Sequence, residues 1–219
     1  PSKVLLFLFT SIHNRGIKPL RYIIMIRVFD LFCKLNFINI SEIDFFNQSR
    51  TKINVNDHIC PLCKTKHPNW SRHAVYQRYL VSFEHGNTIS HIVTIERYKC
   101  SSCGHTHAIL PESLIPYQSY SFLFIIAVLR DYFTKSLTIE RICEKYNISI
   151  STLYAWKNLF IRNKKIWLGL LKDSYTSPVQ FLNSLFLANF LYNLKDFFYL
   201  TGFSFLQSMS LKKAHSIPK

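Results

Sequence analysis

The residues best suited to chemistry are four cysteines that form two close pairs. Cys60 and Cys63 lie in CPLC, Cys100 and Cys103 lie in CSSC, and 36 residues separate the two pairs. Thiolates three positions apart can converge on one ion, and two such pairs complete the tetrahedral set that Zn²⁺ prefers. The spacing therefore predicts one zinc ion bound by these four cysteines. Four thiolates leave no coordination position for a substrate or a water molecule, so the predicted role is structural.

Other interpretations of the cysteines are open. A redox dithiol would need a thioredoxin-type βαβ context around one pair, and the sequence does not offer one. His67, His105 and His107 lie near the pairs, and one of them could replace a cysteine as ligand; a solvated or phosphate-contacting histidine is the plainer interpretation. Cys33 and Cys143 are unpaired in the sequence, fall in apolar helical patterns and are expected to be core residues.

The elements that must position the cysteines are predicted to be strands. Residues 73–81 and 89–99 are rich in Val, Ile, Tyr and Thr, and the EHGN sequence at 84–87 is typical of a turn between them. A third short strand is expected at 105–110, and Gly104 is expected at positive φ where the chain leaves the second cysteine turn. This layout is that of a zinc ribbon, in which an antiparallel sheet of about three strands holds two cysteine turns together.

A second pattern, at residues 138–160, predicts two helices joined by a tight turn. Thr138 can cap the first helix, and Asn147 can adopt the left-handed conformation that ends it. Ile148 is then expected in the core, and Ser149 can cap the second helix. The pattern is that of a helix-turn-helix, although a plain helical hairpin in a core would look similar.

The second helix of this pattern has a predicted buried stripe and a predicted free face. Leu153, Trp156 and Phe160 recur at steps of three and four, which defines the stripe. The residues expected on the opposite face are Ile150, Ser151, Tyr154, Ala155 and Asn158. The first turns of a recognition helix enter the major groove, and basic residues beyond them grip phosphates. The predicted DNA-contacting residues are Ser149, Ile150, Ser151, Thr152, Tyr154, Lys157, Arg162, Lys164 and Lys165.

Composition agrees with an acidic partner. The 219 residues contain 27 Lys and Arg against 12 Asp and Glu, a formal charge of +15. Such a charge favours nucleic acid or an anionic membrane surface. The segment 157–172 has five basic residues and no acidic one. These basic residues do not belong to a long amphipathic helix with a Trp/Leu face, so binding to a membrane surface is the less favoured interpretation. Hydrophobic residues make up 48% of the chain, enough for a core, and no Gly-rich phosphate loop is present.

Apolar segments flank these two regions. Residues 17–47 show a rough helical period and predict a helix, whereas the 16-residue stretch at 179–194 contains four Asn or Gln residues and is short for a membrane span. The tail is therefore expected to be a buried or partner-packing helix. Its predicted apolar face consists of Phe181, Leu185, Phe186, Phe190 and Leu194.

Residues 58–165 resemble a group of small bacterial proteins of unassigned function that join a zinc ribbon to a transposase-like helix-turn-helix. The motifs that carry the resemblance are ICPLC, HAVYQRYL, RYKCSSCGHTHAILPESLIPYQSYS and TIERICEKYNISISTLYAWK. The same pairing opens many insertion-sequence transposases, so the resemblance implies DNA binding in a mobile-element setting. It also implies that the four paired cysteines are the zinc ligands and that residues 149–157 form the recognition helix.

Catalysis is not expected. A transposase of the DDE type needs three carboxylates to hold two metal ions, and only Asp173 and Asp196 follow the helix-turn-helix in this sequence. The prediction is a DNA-recognition part without a catalytic part, tied to a mobile element or to transcriptional regulation. The alternatives are a zinc-ribbon module that binds protein, or the DNA-binding fragment of an active transposase.

These observations together predict an α+β fold in four parts: an N-terminal apolar helical segment (1–57), the zinc ribbon (58–118), the helix-turn-helix region (119–172) and an aromatic helical tail (173–219). The sequence begins at Pro1, so residues 1–24 can be a fragment or read-through upstream of a start at Met25. The expected partners are double-stranded DNA and either a second copy or a separate transposase subunit, with no membrane and no small-molecule substrate. Because no clear signal peptide precedes the cysteines, the expected location is the bacterial cytoplasm, at the nucleoid.

Overall fold

The computed structural model describes residues 25–28, 41–111, 113–171, 177–184 and 190–208. Four strands form one sheet: β1 (Met25–Val28), β2 (Trp70–Glu84), β3 (Asn87–Cys100) and β4 (Thr106–Pro111). The described residues also form one 3-10 helix (Val55–Asp57) and six α-helices: α1 (Glu42–Lys52), α2 (Phe122–Thr134), α3 (Ile139–Tyr146), α4 (Ile150–Leu171), α5 (Pro178–Ser184) and α6 (Phe190–Thr201). The fold is therefore α+β, as predicted.

A long antiparallel hairpin dominates the sheet. β2 and β3 pair antiparallel from Trp70 opposite Cys100 to Glu84 opposite Asn87, with one register shift between Arg72 and Ala74. The two residues between the strands lie at positive φ (50° for His85), as a tight hairpin turn requires. At about 3.3 Å per residue, the 15 residues of β2 extend roughly 50 Å. The hairpin thus separates the cysteine turns at one end from the helices at the other.

The three predicted strands are confirmed, and a fourth strand comes from a segment for which the sequence predicts a helix. β4 pairs antiparallel with β3, and β1 pairs parallel with β4, with Ile26 opposite Ile109. The helix predicted over 17–47 is therefore wrong at 25–28, because β-branched residues there fit a sheet position and Ile26 is buried against Ile109. It is right at 42–47, within α1, and Cys33 lies outside the described residues.

Besides the small cluster of Ile26 and Ile109, two larger apolar clusters stabilise the described fold. Phe46 of α1 packs on one face of the sheet with Leu80, Val93 and Ile95. The larger cluster joins α2, α3 and α4 to the tail, and Trp156 lies within it. A helical core therefore forms at the turn end of the hairpin, while the sheet has a smaller core of its own.

The aromatic tail belongs to the helical core. Of its predicted apolar face, Phe181 and Leu194 are buried, whereas Leu185 and Phe186 lie outside the described residues, as does the side chain of Phe190. The Phe160 ring contacts the Phe181 ring at a centroid distance of 5.8 Å. Among the described helices, none has the length and apolar character that a bilayer crossing needs.

Hydrogen bonds join the hairpin to the helices. The Val81 N–H donates to the Ser119 carbonyl (2.8 Å), and the Ser121 N–H donates to the Val81 carbonyl (2.9 Å). The Thr88 hydroxyl donates to the carbonyl of Tyr146 at 2.9 Å. Backbone and side-chain bonds thus fix the last residue of α3 and the entry to α2 against the strands.

Candidate functional site

The first cysteine turn is shaped by two backbone hydrogen bonds. The Cys60 N–H donates to the Thr65 carbonyl (3.0 Å), and the Lys64 N–H donates to the Cys60 carbonyl (2.9 Å). Lys64 lies at φ 63°, in the left-handed region that favours glycine. The chain therefore turns back on itself after the second cysteine of the pair.

The second cysteine turn repeats this geometry. The Cys100 N–H donates to the His105 carbonyl, and the Gly104 N–H donates to the Cys100 carbonyl, both at 2.9 Å. Gly104 lies at φ 72°, which confirms the predicted conformation. Because Cys100 is also the last residue of β3, the sheet carries this turn directly into the site.

The two turns bring the four sulfur atoms together. All four Sγ atoms lie within 4.8 Å of one another. The Cys60–Cys103 and Cys63–Cys100 Sγ distances are both 3.8 Å. A tetrahedron with metal–sulfur bonds of about 2.3 Å has edges of about 3.8 Å, so the arrangement fits one tetrahedral metal ion. The predicted ligand cluster is confirmed as a group able to hold a metal.

The protonation of the thiols depends on where each one lies. Burial raises the pKa of the Cys60 thiol to about 12, because a thiolate there has little access to water. The hydroxyl of Thr65, 3.2 Å from the Cys63 sulfur, lowers the pKa of that thiol to about 6. Four thiolates in so small a volume repel one another, and a divalent cation offsets this repulsion.

The histidines near the cysteines have different partners. His107, on β4, is almost fully buried, with Nε2 3.4 Å from the Cys60 sulfur and its ring edge-to-face with Trp70 at 5.7 Å. When Nε2 carries the proton it donates to this sulfur, which is how residues around a metal orient its ligands. His67 and His105 contact main-chain carbonyls through Nδ1. None of the three belongs to the sulfur cluster.

Sequence reasoning placed His107 beside the cysteines but did not find its contact with Cys60. The available signal was its position on a predicted strand two residues before Ile109, because alternate residues of a strand share a face. That signal indicates which side chains point the same way, but not which sulfur they meet.

The second candidate site is the turn between α3 and α4. Thr138 Oγ1 accepts from the Arg141 N–H at 3.4 Å, and Asn147 lies at φ 49°. Ser149 Oγ accepts from the Thr152 N–H at 3.1 Å. The predicted caps and the left-handed turn residue are therefore present as expected, and the turn spans residues 147–149.

The exposed and buried faces of α4 follow the predicted stripe. Leu153, Trp156 and Phe160 are buried. Ile150 is 49% exposed, and Ser151, Ala155 and Asn158 are also exposed. Tyr154 differs from the prediction, because its ring is half-buried and contacts Tyr132 at a centroid distance of 6.4 Å. The remaining free face is small and combines polar side chains, Ser151 and Asn158, with apolar ones, Ile150 and Ala155.

The basic residues of α4 fall into two groups. Arg162 and Lys165 are exposed, while Lys157 and Lys164 are half-buried. The Lys157 ammonium lies 5.3 Å from the ring centroid of Tyr154, a cation–π distance. Lys157 is therefore engaged within the protein, and the exposed cations are Arg162 and Lys165. The contact of any of these residues with DNA stays a prediction.

The two carboxylate groups that follow the helix-turn-helix region, and that a transposase would need, lie outside the described part of the structure. Asp173 lies in an undescribed segment, and the side chain of Asp196 is likewise not described. The four cysteines are the only group of three or more potential metal ligands found among the described residues.

Comparison with known proteins gives one match. Residues 60–156 are similar to a family described as a domain of unknown function, DUF6431. This range begins at the first cysteine of the cluster and ends in α4, so it includes the cysteine cluster and the turn between α3 and α4 but not the basic residues from Lys157 onward. No curated protein matches, and no solved structure matches.

Proposed function

We propose that this protein binds double-stranded DNA through α4 and holds one structural zinc ion at its four clustered cysteines. In this proposal the zinc stiffens the end of the β2–β3 hairpin, and the helices at the other end read the duplex. The protein has no catalytic role of its own. It acts in transcriptional regulation or beside the catalytic subunit of a mobile element.

The ligand chemistry supports zinc as the metal. Four thiolates at tetrahedral spacing are the donor set of structural zinc sites. Two of the cysteines, Cys60 and Cys100, are fully buried, and a buried thiolate without a cation would be costly. Zinc contributes roughly 10–16 kcal/mol of binding free energy in small finger peptides. The small sheet would thus gain much of its stability at this end from the ion.

The observation that carries DNA binding is the free face on the first turns of α4. Ile150, Ser151 and Asn158 are exposed there, whereas the opposite stripe is packed in the core. Hydroxyl and amide groups can bond base edges, and an apolar side chain such as Ile150 can contact a thymine methyl group. A helix that follows a three-residue turn and presents such a face has the arrangement of a recognition helix.

Charge supports the same partner. The chain carries a formal charge of +15, and Arg162 and Lys165 extend the exposed surface of α4 beyond its first turns. Contacts from such residues to phosphates would position the helix without reading sequence. We therefore expect the affinity for duplex DNA to be high at low salt and to fall steeply as the salt concentration rises.

The test is fluorescence anisotropy with labelled duplex DNA over a range of salt concentrations. Each phosphate contact contributes about 0.9 to the slope of log affinity against log salt. Replacing both exposed cations, Arg162 and Lys165, with Ala should weaken binding to all duplex sequences alike and flatten this slope by about 2. The matched control replaces Lys66 and Lys99, two exposed lysines at the metal end, and should leave the slope nearly unchanged. Equal flattening by both double variants, or binding that does not respond to salt, would contradict the proposal.

One observation favours a second candidate, a module that binds protein. Val75, Tyr79 and Ile92 on the hairpin are 49%, 57% and 59% exposed, and Tyr79 faces Ile92 across the strands. Exposed apolar side chains that adjoin one another are a common feature of protein interfaces. Failure to bind any duplex at low salt, with zinc bound and the fold intact, would favour this candidate.

A further inference from the structure

A cleft separates the sheet from the segment that leads into α2. Its volume is about 430 Å³, within the range of small-ligand sites. One wall comes from Tyr76 and Arg78 of β2 and Arg97 of β3, and the other from residues 116–119. The cleft lies between the cysteine cluster and the helices along the hairpin and is separate from both.

The strand register places the three wall residues on one face. Tyr76 and Arg78 are two positions apart on β2, so they point the same way. Ala74 pairs with Arg97 and Tyr76 pairs with Ile95, which makes Arg97 a diagonal neighbour of Tyr76 on that face. Two guanidinium groups and a phenol ring therefore line the same side of the cleft.

Arg78 organises the opposite wall. Its Nη2 atom donates to the carbonyl of Ile115 at 3.1 Å and also to the carbonyl of Gln118. These two bonds bracket Tyr117, which lies at φ 63° and is 75% exposed. A bulky residue at positive φ is uncommon and strained. The hydrogen bonds from Arg78 thus hold a strained loop that presents the Tyr117 ring to solvent at the mouth of the cleft.

Arg97 supplies a positive charge to the cleft. This half-buried side chain donates through Nη2 to the hydroxyl (2.8 Å) and the carbonyl (3.3 Å) of Thr106. Among the described residues no carboxylate lies within ion-pair distance of it. Burial raises the pKa of Tyr76, and the charges of Arg78 and Arg97 oppose that rise, so both cations act on the same space. A half-buried cation without a carboxylate favours an anionic ligand.

We propose that this cleft binds an unpaired nucleotide of a single-stranded nucleic acid, with its phosphate at Arg97 and its base against the ring of Tyr117. Bases inside a duplex are stacked on each other and cannot reach an aromatic side chain, whereas unpaired bases stack on such rings readily. A largely exposed ring at an open cleft suits a strand that continues past the site, because a free nucleotide is normally enclosed. The proposal is independent of duplex recognition by α4.

The test uses the full chain with its metal and anisotropy of labelled oligothymidylate and oligouridylate of about 12 nucleotides. Replacing Tyr117 with Ala should weaken binding roughly 5- to 150-fold, the range expected for loss of one stacked base. Tyr117→Phe keeps the ring and should retain the affinity. Tyr79→Ala is the matched control, since this tyrosine is 57% exposed on the other face of β2, and it should bind normally. Tight binding of either oligonucleotide supports the site. The one that binds more tightly shows whether the preferred ligand is single-stranded DNA or RNA.

Arg97 is tested by salt dependence. Arg97→Gln should flatten the slope of log affinity against log salt by about 0.7, the value for one phosphate of a single strand. Circular dichroism of each variant should match the unchanged protein, because Tyr117 is exposed and Arg97 is only half-buried. A change of less than about twofold in Tyr117→Ala would overturn the proposal, since stacking contributes more than that. So would thymidine monophosphate binding as tightly as the oligonucleotide. Tyr117→Ala should leave the affinity for duplex DNA unchanged. A loss of single-strand binding at the cleft can therefore be distinguished from a failure of α4 to bind duplex DNA.

Discussion

At the scale of single residues, the cysteine cluster shows how backbone geometry prepares a metal site. Each turn uses the same pair of backbone bonds, and each places its fifth residue, Lys64 or Gly104, at positive φ. Thr65 adds a hydroxyl to the Cys63 sulfur, and His107 approaches the Cys60 sulfur. The four sulfurs are therefore oriented by neighbours outside the cluster, an arrangement that suits a group able to hold a metal ion.

Loss of a single sulfur should remove the metal. Cys60→Ser and Cys103→Ser should each lose stoichiometric zinc and unfold residues 58–110, because three thiolates bind much more weakly than four and the ion stabilises the fold. Elemental analysis of the purified protein measures the metal, and amide hydrogen exchange measures the unfolding. Cys143→Ser, at a half-buried thiol of α3, is the control and should retain zinc. Unchanged zinc content in both ligand variants would reject the ligand assignment.

Lys64 and Gly104, the positive-φ residues of the two cysteine turns, predict stability changes of opposite sign when they are substituted. Gly104→Ala should destabilise the protein by about 1 kcal/mol, since the left-handed conformation is costly for a residue with a Cβ atom. The added Cβ would meet nothing within 4 Å, so the cost is conformational rather than steric. Lys64→Gly should relieve the same cost and stabilise the protein by up to about 1 kcal/mol. Thermal unfolding with zinc bound measures both, and a shift of the same sign in the two variants would contradict the explanation.

At the scale of elements, the α3–turn–α4 unit depends on short-range capping. Asn147 ends α3 in a left-handed conformation, and Ser149 begins α4 through its bond to the Thr152 N–H. The turn is thereby limited to three residues, which sets where the exposed face of α4 begins. At the cysteine cluster the β2–β3 hairpin sets the position of the second cysteine turn, because β3 ends directly in Cys100.

Removal of the cap should loosen the start of α4. Ser149→Ala leaves the Thr152 N–H without its side-chain partner and should lower the free energy of unfolding by about 1 kcal/mol. If α4 binds DNA, duplex affinity should fall as well, because the first turn would fray. Chemical denaturation and anisotropy measure the two effects. Asn158→Ala, at an exposed position of the same helix remote from the cap, is the stability control, and an equal loss there would argue against capping as the cause.

At the scale of the whole molecule, Glu42 links the segment before the cysteines to the helical core. It begins α1, and its Oε1 atom accepts from the hydroxyl of Ser121, which caps α2, at 2.8 Å. Its Oε2 atom is buried and has no hydrogen-bond partner among the described residues. Burial, together with the nearby charge of Glu84, raises the pKa of Glu42 from 4.5 to about 8, although the Ser121 bond opposes the rise. The folded protein therefore holds this carboxyl in its neutral form near neutral pH.

This buried carboxyl should make stability depend on pH. Between pH 4.5 and about 8 the folded state retains a proton that the unfolded state has lost. The contribution of Glu42 is therefore full below pH 4.5 and decreases as pH rises toward 8, by at most about 1.4 kcal/mol per pH unit. Glu42→Gln should remove this component, which denaturation of both proteins across that range would measure. Titrating groups other than Glu42 affect both proteins equally, so they cancel when the two free energies of unfolding are subtracted. A difference that stays constant from pH 4.5 to 8 would show that Glu42 does not titrate as described.

The features that the sequence determined by itself are local. The cysteine turns, the three strands of the antiparallel sheet, the caps at Thr138 and Ser149 and the buried stripe of α4 all follow from bonds or periods within a few residues. Such patterns are readable because the interacting groups are close along the chain, so the residue types report the contact directly. Most confirmed predictions are of this kind; the clustering of the two cysteine pairs is the exception, because a shared metal preference links the pairs across 36 residues.

Only the tertiary structure decided the features that join distant segments. It paired Met25–Val28 with β4 where the apolar period indicated a helix, brought His107 to Cys60, packed the aromatic tail on the helical core and set Tyr117 over the face that carries Arg97. The physical reason is that a strand or an apolar face is stabilised by its partner, and a single sequence does not state which distant segment that partner is.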